Sequence, residues 1–341
     1  MSDFKLLITD WYRQNKRDLP WRQTNDPFKI WLSEIILQQT RVDQGLPYFV
    51  KFIETFKDVH ALAEADEQTV LNLWQGLGYY SRGRNLHQTA KFISGQLNGQ
   101  FPSNSKELQK LKGIGPYTAA AIASFCYNEA IPVIDGNVHR VISRVFDIDS
   151  PVNSKEGEKI IKEIAMTLID SKDPATFNQA IMEFGALQCT PSNPDCAHCP
   201  LAEMCLSRTN NTVDQRPVKL KNVKIKHRFF HYAVISNDQK IVIIKREDKD
   251  IWQHLYQFPL CESPNEIFPN EIIPGFFLKD AYRSEPASKH VLSHQHIHAH
   301  FHHFILDETK LKLTKDYLVI DRTELSDYPL PRLIDKYLDS I

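Results

Sequence analysis

Apolar residues recur at helical spacing through the first two-thirds of the chain and at strand spacing only after residue 228. Phe4 to Arg17 places Leu6, Leu7, Ile8 and Trp11 between charges, which predicts an amphipathic helix. Residues 27–40 are an apolar run with Trp31, Ile35 and Gln38 three or four apart, predicting a second helix. Residues 41–110 continue as helices with short polar breaks and no strand alternation. Pro116-Tyr117-Thr118 opens an Ala-rich helical run to Tyr127, with proline in the first turn, where its missing N–H costs nothing. Ile131 to Ile134 leads into Asp135-Gly136-Asn137-Val138, so Asp135 caps a further helix through Val141 and Val145. Phe229–Ile235 and Lys240–Lys245 flank Asn237-Asp238, a hairpin signal. His294, His296, His298, His300 and His302 recur with period two opposite Ile297, Ala299 and Phe301, which puts the five imidazoles on one strand face. Leu333–Leu338 closes the pattern as a short amphipathic helix. The pattern predicts a helical domain over residues 1–209, a linker over 210–228 and an α/β module over 229–341.

Length supports that division, since 341 residues exceed what one core usually holds. The net charge of −1 excludes a protein held to nucleic acid by bulk charge, so any DNA contact is local, made by turn amides and chosen cations. The linker is locally basic: Arg216, Lys219, Lys221, Lys224, Lys226 and Arg228 accompany a single acid, Asp214. Such a tract either tracks a phosphate backbone or is simply solvated. No apolar run has the length of a membrane span and Ser2-Asp3-Phe4-Lys5 does not open a signal peptide, so the expected setting is cytoplasmic, nucleoid-associated in a bacterium. Disulfides are not expected there. Cys126 and Cys261 stand alone, whereas Cys189, Cys196, Cys199 and Cys205 form a C-x6-C-x2-C-x5-C cluster able to wrap one metal centre. Zinc and [4Fe-4S] both accept four thiolates; the uneven spacing, with only one C-x2-C knuckle, leans toward iron–sulfur.

Candidate chemistry gathers at four places. Gly113 and Gly115 build a turn whose N–H groups form an anion seat at a helix N-terminus, or a plain glycine-capped connection. Gly76-Leu77-Gly78-Tyr79-Tyr80 repeats the device with aromatics that either wedge into a base stack or belong to the core, and Arg82 and Arg84 follow. Glu34, beside Trp31 and Ile35, is either a solvated edge residue or a carboxyl whose neutral form burial favours, as a general acid requires. Paired with an ionised Asp135 it would equip the chain to cleave a glycosidic bond. Leu19-Pro20-Trp21-Arg22 reads as a loop with an exposed aromatic and a cation, or as a connection with its Trp buried. The histidine row is a metal site or, on flatness, a solvated strand face.

Trp31-Leu32-Ser33-Glu34 with Gln38-Gln39-Thr40, Gly76 to Tyr80, Leu111 to Gly115 with Tyr117, Asp135 to Val138 and the four cysteines occur in the order found in MutY-type adenine DNA glycosylases. Residues 1–210 resemble that family closely. The resemblance implies a mostly α, two-lobed helix-hairpin-helix glycosylase domain, with a six-helix lobe at about 22–130 and an iron–sulfur lobe of 1–21 with 131–209. It implies a [4Fe-4S] cluster on Cys189, Cys196, Cys199 and Cys205, a C-terminal α/β Nudix-like domain, and a monomer acting on duplex DNA with A opposite 8-oxoguanine or G. By the same resemblance Glu34, Asp135, Tyr117 and Asn137 are catalytic, and Trp21, Arg22 and Gln38 lie near the adenine. Gln39, Thr40, Leu77 and Tyr79 approach the opposite base, Gly113 and Gly115 seat DNA, and Ser293 with His294 reads 8-oxoguanine. Leu292-Ser293-His294 departs from the family's Phe-Ser-His loop at its first residue, and no Nudix helix is present, so nucleotide hydrolysis is not implied. The related endonuclease III enzymes resemble the chain too, but carry a lysine at the place of Tyr117 and no acid at that of Glu34. A lysine would form a Schiff base and lead to strand cleavage, which tyrosine cannot do. A non-enzymatic, DNA-scanning or redox-sensing iron–sulfur protein is the third reading, opposed by the acid pair.

Overall fold

The computed structural model describes residues 2–220, 225–285, 288–307 and 317–340, so Lys221 and Lys224 of the basic tract lie outside the described residues. The chain forms two compact units, one of residues 1–64 with 88–221 and one of residues 65–87 with 222–341. In chain order the helices are α1 (Ser2–Asn15), α2 (Pro27–Leu37), α3 (Val42–Thr55), α4 (Val59–Glu64), α5 (Glu67–Trp74), α6 (Ser81–Gln96), α7 (Ser105–Leu108), α8 (Pro116–Tyr127), α9 (Gly136–Val145), α10 (Lys155–Leu168), α11 (Pro174–Leu187), α12 (Leu206–Thr209) and α13 (Arg332–Leu338).

In the first unit, Asp26 starts α2 by accepting from the Phe28 N–H at 2.9 Å. The helix stops at Leu37, short of the expected Thr40, because Gln39 turns left-handed with φ 57°. Two helices joined by a glycine turn make the hairpin: α7, capped by Asn104, then Gly113 at φ 77°, then Gly115 at the N-cap of α8. Thr118 to Ser124 are all buried, so the alanines of α8 serve to bring backbones close together. Below the hairpin, α1, α9, α10 and α11 share a core that includes Ile8, Val141, Ile142, Ile161 and Phe184. Asn178 of α11 holds the extended approach to Asp135: it accepts from Val133 N–H at 3.0 Å and donates to Ile131 O and Ser124 Oγ at 2.9 Å. Gly185 lets α11 lie against α9, since a Cβ there would stand 2.6 Å from Asn137 Cβ.

The second unit is built on a sheet of β1 (Lys226–Ser236), β2 (Lys240–Lys245), β3 (Tyr256–Gln257), β4 (Leu260–Ser263), β7 (Arg283–Ser284), β8 (Ser288–Val291), β9 (Gln295–Ile305) and β10 (Tyr317–Asp321), with β5 (Glu271–Ile273) and β6 (Phe276–Phe277) pairing apart. Its spine runs β10-β2-β1-β9-β7. The expected hairpin is β1–β2, paired antiparallel at Ser236 and Ile241. β1 and β9 run parallel from Lys226/Gln295 to Ser236/Ile305, while β8 and β9 form a hairpin whose turn carries Leu292, Ser293 and His294. Arg228 is buried, bound to Glu262 and Asp250, and in the first unit Arg216 pairs with Asp147 at 2.9 Å; both therefore leave the solvated tract.

The solvated strand face expected for the histidines is not what the fold makes of them. β9 is an interior strand, and on its histidine face His302 is 0% and the neighbouring His231 of β1 1% exposed. The rings stack, His231 on His300 at 4.9 Å, with Phe268 against both; His231 Nδ1 and His302 Nε2 are 3.2 Å apart and Ser284 Oγ meets His302 Nδ1 at 2.8 Å. His296, His298 and His300 are half-buried, and His294 is exposed in the turn. Among the described residues no three His, Cys, Asp or Glu side chains are gathered as one metal ion needs. Period two told which residues share a face, not that neighbouring segments would cover it. Burial pushes His231 and His302 each down to about 4. Between there and the unfolded value near 6.5 the unfolded chain binds more protons, so stability of this unit falls as the pH drops through that window. Hydrogen exchange on β1 and β9 should report a loss of roughly 2–3 kcal/mol for each of the two rings between pH 7 and pH 4.5; equal protection at both pH values would contradict buried neutral rings.

Candidate active site

Glu34 sits on α2 and Asp135 at the N-cap of α9, and both line one cavity of about 190 Å³ in the first unit, with Tyr117, Asn137, Trp21 and Arg22. Glu34 is 7% exposed. Burial pushes its carboxyl up to about 7, against a hydrogen bond from the Tyr117 hydroxyl and the nearby Arg22 charge, while the Asp135 charge adds to the rise. Burial also raises the Tyr117 phenol well above its ordinary value, so it remains a neutral donor at neutral pH. Asp135 is pushed upward by burial as well, but it accepts from Val138 N–H at 2.7 Å, Asn137 N–H at 2.8 Å and Asn137 Nδ2 at 2.6 Å. Three such bonds favour a charged acceptor at Asp135, whereas at Glu34 burial outweighs the hydrogen bond from Tyr117. The cavity thus holds one carboxyl raised by burial and a second held by hydrogen bonds at a helix N-terminus.

A third carboxylate, which sequence reasoning missed, supports the wall. Glu183 of α11 is 1% exposed and binds Arg22 at 2.8 and 2.7 Å and Arg17 at 2.9 and 2.6 Å. Although burial alone would raise it, the hydrogen bonds from Arg22 and Arg17 hold it at about 2. This triad fixes Arg22 at the cavity and leaves it one side of its fork committed. Trp21 is buried rather than exposed, packed edge-on against Phe49 at 5.1 Å. Thr40 lines the cavity; Gln38 instead donates to Thr118 Oγ1 at 3.2 Å, outside the lining, and Gln39 is exposed. Gly113 and Gly115 are exposed at the hairpin turn, and a Cβ on Gly115 would meet nothing within 4 Å.

Behind the site, Arg140 joins Asn137 to the cysteine loop. It donates to Asn137 Oδ1 at 2.8 Å, Gly185 O at 2.6 Å and Cys189 O at 2.7 Å. Cys189, Cys196, Cys199 and Cys205 line a common cavity with Arg144, whose guanidinium reaches Cys189 Sγ at 3.4 Å and the Thr190 and Pro191 carbonyls. Four thiols around one cavity, with no three converging on a single point, fit a cluster of several atoms better than one tetrahedral zinc ion.

In the second unit, Leu77 is buried, Tyr79 is 52% exposed, and the Tyr79 hydroxyl hydrogen-bonds to Ser293 Oγ. The opposite-base candidates Tyr79 and Ser293 are therefore brought together; His294, next to Ser293 in sequence, is exposed.

Comparisons with known proteins place this arrangement of hairpin, buried acid and four-cysteine loop among DNA base-excision proteins. Residues 32–166 match the HhH-GPD superfamily base excision DNA repair protein family, 189–205 the iron–sulfur binding domain of endonuclease III and 230–340 the NUDIX domain. The chain belongs to the adenine DNA glycosylase family. It is 32% identical over 345 residues to the adenine DNA glycosylase of Buchnera aphidicola subsp. Schizaphis graminum, covering 98% of each chain, and 39% identical over 267 residues to that of subsp. Baizongia pistaciae, covering 77% of this chain and 75% of the relative. The human adenine DNA glycosylase is 40% identical over 217 residues, 61% of this chain and 40% of that one. Among solved structures, a thermostable thymine-DNA glycosylase superposes with TM-score 0.57 at 28% identity, over 61% of this chain and 95% of that chain. A non-covalent endonuclease III–DNA complex shares the fold, with TM-score 0.52 at 19% identity over 60% and 93%. The implied cofactor is a [4Fe-4S] cluster, and no helix among the described residues is long and apolar enough to cross a membrane.

Proposed function

We propose that the chain excises adenine paired with 8-oxoguanine or G in duplex DNA, as a monofunctional glycosylase. The observation that carries this reading is the buried Glu34, its carboxyl pushed up to about 7, lining one cavity with a hydrogen-bonded Asp135. The target adenine is flipped out of the stack into that cavity. Glu34 gives its proton to N7, which makes adenine a better leaving group, and the glycosidic bond opens toward an oxocarbenium-like sugar. Asp135 stabilises that charge or bonds transiently to C1′, with Tyr117 and Asn137 orienting the pair. Water then completes hydrolysis with Glu34 as base, and passage through a covalent intermediate retains the sugar configuration. Trp21 and Arg22 bound the base, and Gly113 and Gly115 seat the backbone. Cys189, Cys196, Cys199 and Cys205 would hold the [4Fe-4S] cluster, which supplies a redox-capable iron centre and a crosslink for their loop. Tyr79, Ser293 and His294 contact the opposite base, with Gln39 and Thr40 on the DNA.

The test is a duplex with A opposite 8-oxoguanine, assayed for free adenine and for nicking before alkali. Free adenine without nicking is expected. Nicking through a borohydride-trappable adduct would instead support the lyase reading, and no base release would remove the assignment.

A further inference from the structure

The loop that carries Tyr79 is fastened at both ends to the C-terminal helix region of its own unit. Gln75, immediately before the Gly76–Gly78 turn, donates from Nε2 to Asp335 Oδ1 of α13 at 2.7 Å. Tyr80, immediately after Tyr79, donates from its hydroxyl to Leu330 O at 3.1 Å. Upstream on α5, Gln68 and Asn72 both donate to Asp327 O, at 2.8 and 2.7 Å, and Glu67 meets His254 Nδ1 at 2.6 Å. Between the two fastenings the backbone is left-handed at Gly76, Gly78 and Tyr79, with φ 95°, 71° and 47°. A tyrosine holds that conformation only where its surroundings impose it. Trp74 Nε1 donates to Gly78 O at 3.1 Å, and Arg82 donates to Leu77 O and Gly78 O while its guanidinium lies over the Tyr79 ring at 5.6 Å. The product of this scaffolding is the contact of Tyr79 with Ser293 in the β8–β9 turn.

We propose that Asp335 and Gln75 are positioning residues that set Tyr79 against Ser293, and so determine selectivity for the base opposite adenine without touching it. The inference rests on the reading of Tyr79 and Ser293 given above. Asp335 is 14% exposed, and its bond to Gln75 lies at the hinge of the left-handed loop, so removing the acceptor frees Tyr79 to relax while leaving the Glu34 cavity untouched.

In the full-length, cluster-loaded protein, Asp335→Leu should lower the single-turnover preference for A opposite 8-oxoguanine over A opposite G by about tenfold, the scale of one partly buried hydrogen bond. The rate on A opposite G should stay within about twofold. Asp335→Asn retains an acceptor and should restore most of the preference. Gln75→Leu, which leaves α13 intact, should reproduce the loss, and the double variant should lose no more than either single one, since both remove the same bond. Preference retained in a folded Asp335→Leu or Gln75→Leu protein, additive losses, or no rescue by Asn would overturn the inference. A wild-type protein with no preference for 8-oxoguanine would overturn the underlying reading and this inference with it, a result distinct from a wild-type preference that the variants leave unchanged.

Discussion

Glu34→Gln should lower single-turnover adenine release by about 10²–10⁴-fold, the range expected for losing a general acid, with duplex affinity changed by no more than about threefold. Glutamine keeps the size of the side chain and can still accept from Tyr117, but it has no proton to give to a purine nitrogen. The pH profile supplies the sign. The Glu34 carboxyl, raised to about 7 by burial, is protonated below that value, so activity should be full under mildly acidic conditions and decline as the pH rises through 7. The variant should show no such limb. A Glu34→Gln protein with turnover near wild type, or a wild-type rate flat from pH 6 to pH 9, would sink the general-acid role.

Glu183→Ala carries the second large effect, on stability as much as on rate. Its carboxylate is the common partner of Arg17 and Arg22 and is the most buried of the three, with those side chains 35% and 14% exposed. Removing one member of a buried ionic group strands the others, a loss of about 3–5 kcal/mol. Urea unfolding followed on the helical unit should register it. Adenine release should also fall, because Arg22 loses the fork that holds it at the cavity wall. Glu183→Gln keeps one acceptor oxygen, without charge, and should lie between wild type and alanine. A loss below about 1 kcal/mol for the alanine variant would mean that solvent already satisfies both guanidinium groups.

Much of this was readable from residue order, and the reasons for the gaps differ. The hairpin was visible because glycine and proline mark turns by backbone geometry alone, and the cap of α9 because Asp135 ends an apolar run. Periodicity could not decide whether Glu34 was buried, since Trp31 and Ile35 are its neighbours on either reading; packing of α2 against α8 decided it. Glu183 gave no signal. It stands in an apolar helix as a single acid, and its partners are 161 and 166 residues away. Asn178 was hidden likewise, its bonds running to a loop some 45 residues upstream. The histidine row misled because alternation is the same for a wet face and a covered one. Residues 65–87 read as one more stretch of helices, yet they cluster with the C-terminal sheet, a pairing set by side-chain bonds to carbonyls that no motif encodes.

The close approach of α11 to α9 has its own bearing on how this site can vary among descendants. A methyl group at Gly185 would meet the Asn137 side chain at 2.6 Å and the Asn137 backbone at 3.0 Å, displacing the turn that presents Asp135. A position with little freedom to drift is thus one that brings no functional group to the reaction, and a screen of random substitutions should find it as intolerant as the carboxylates it indirectly aligns.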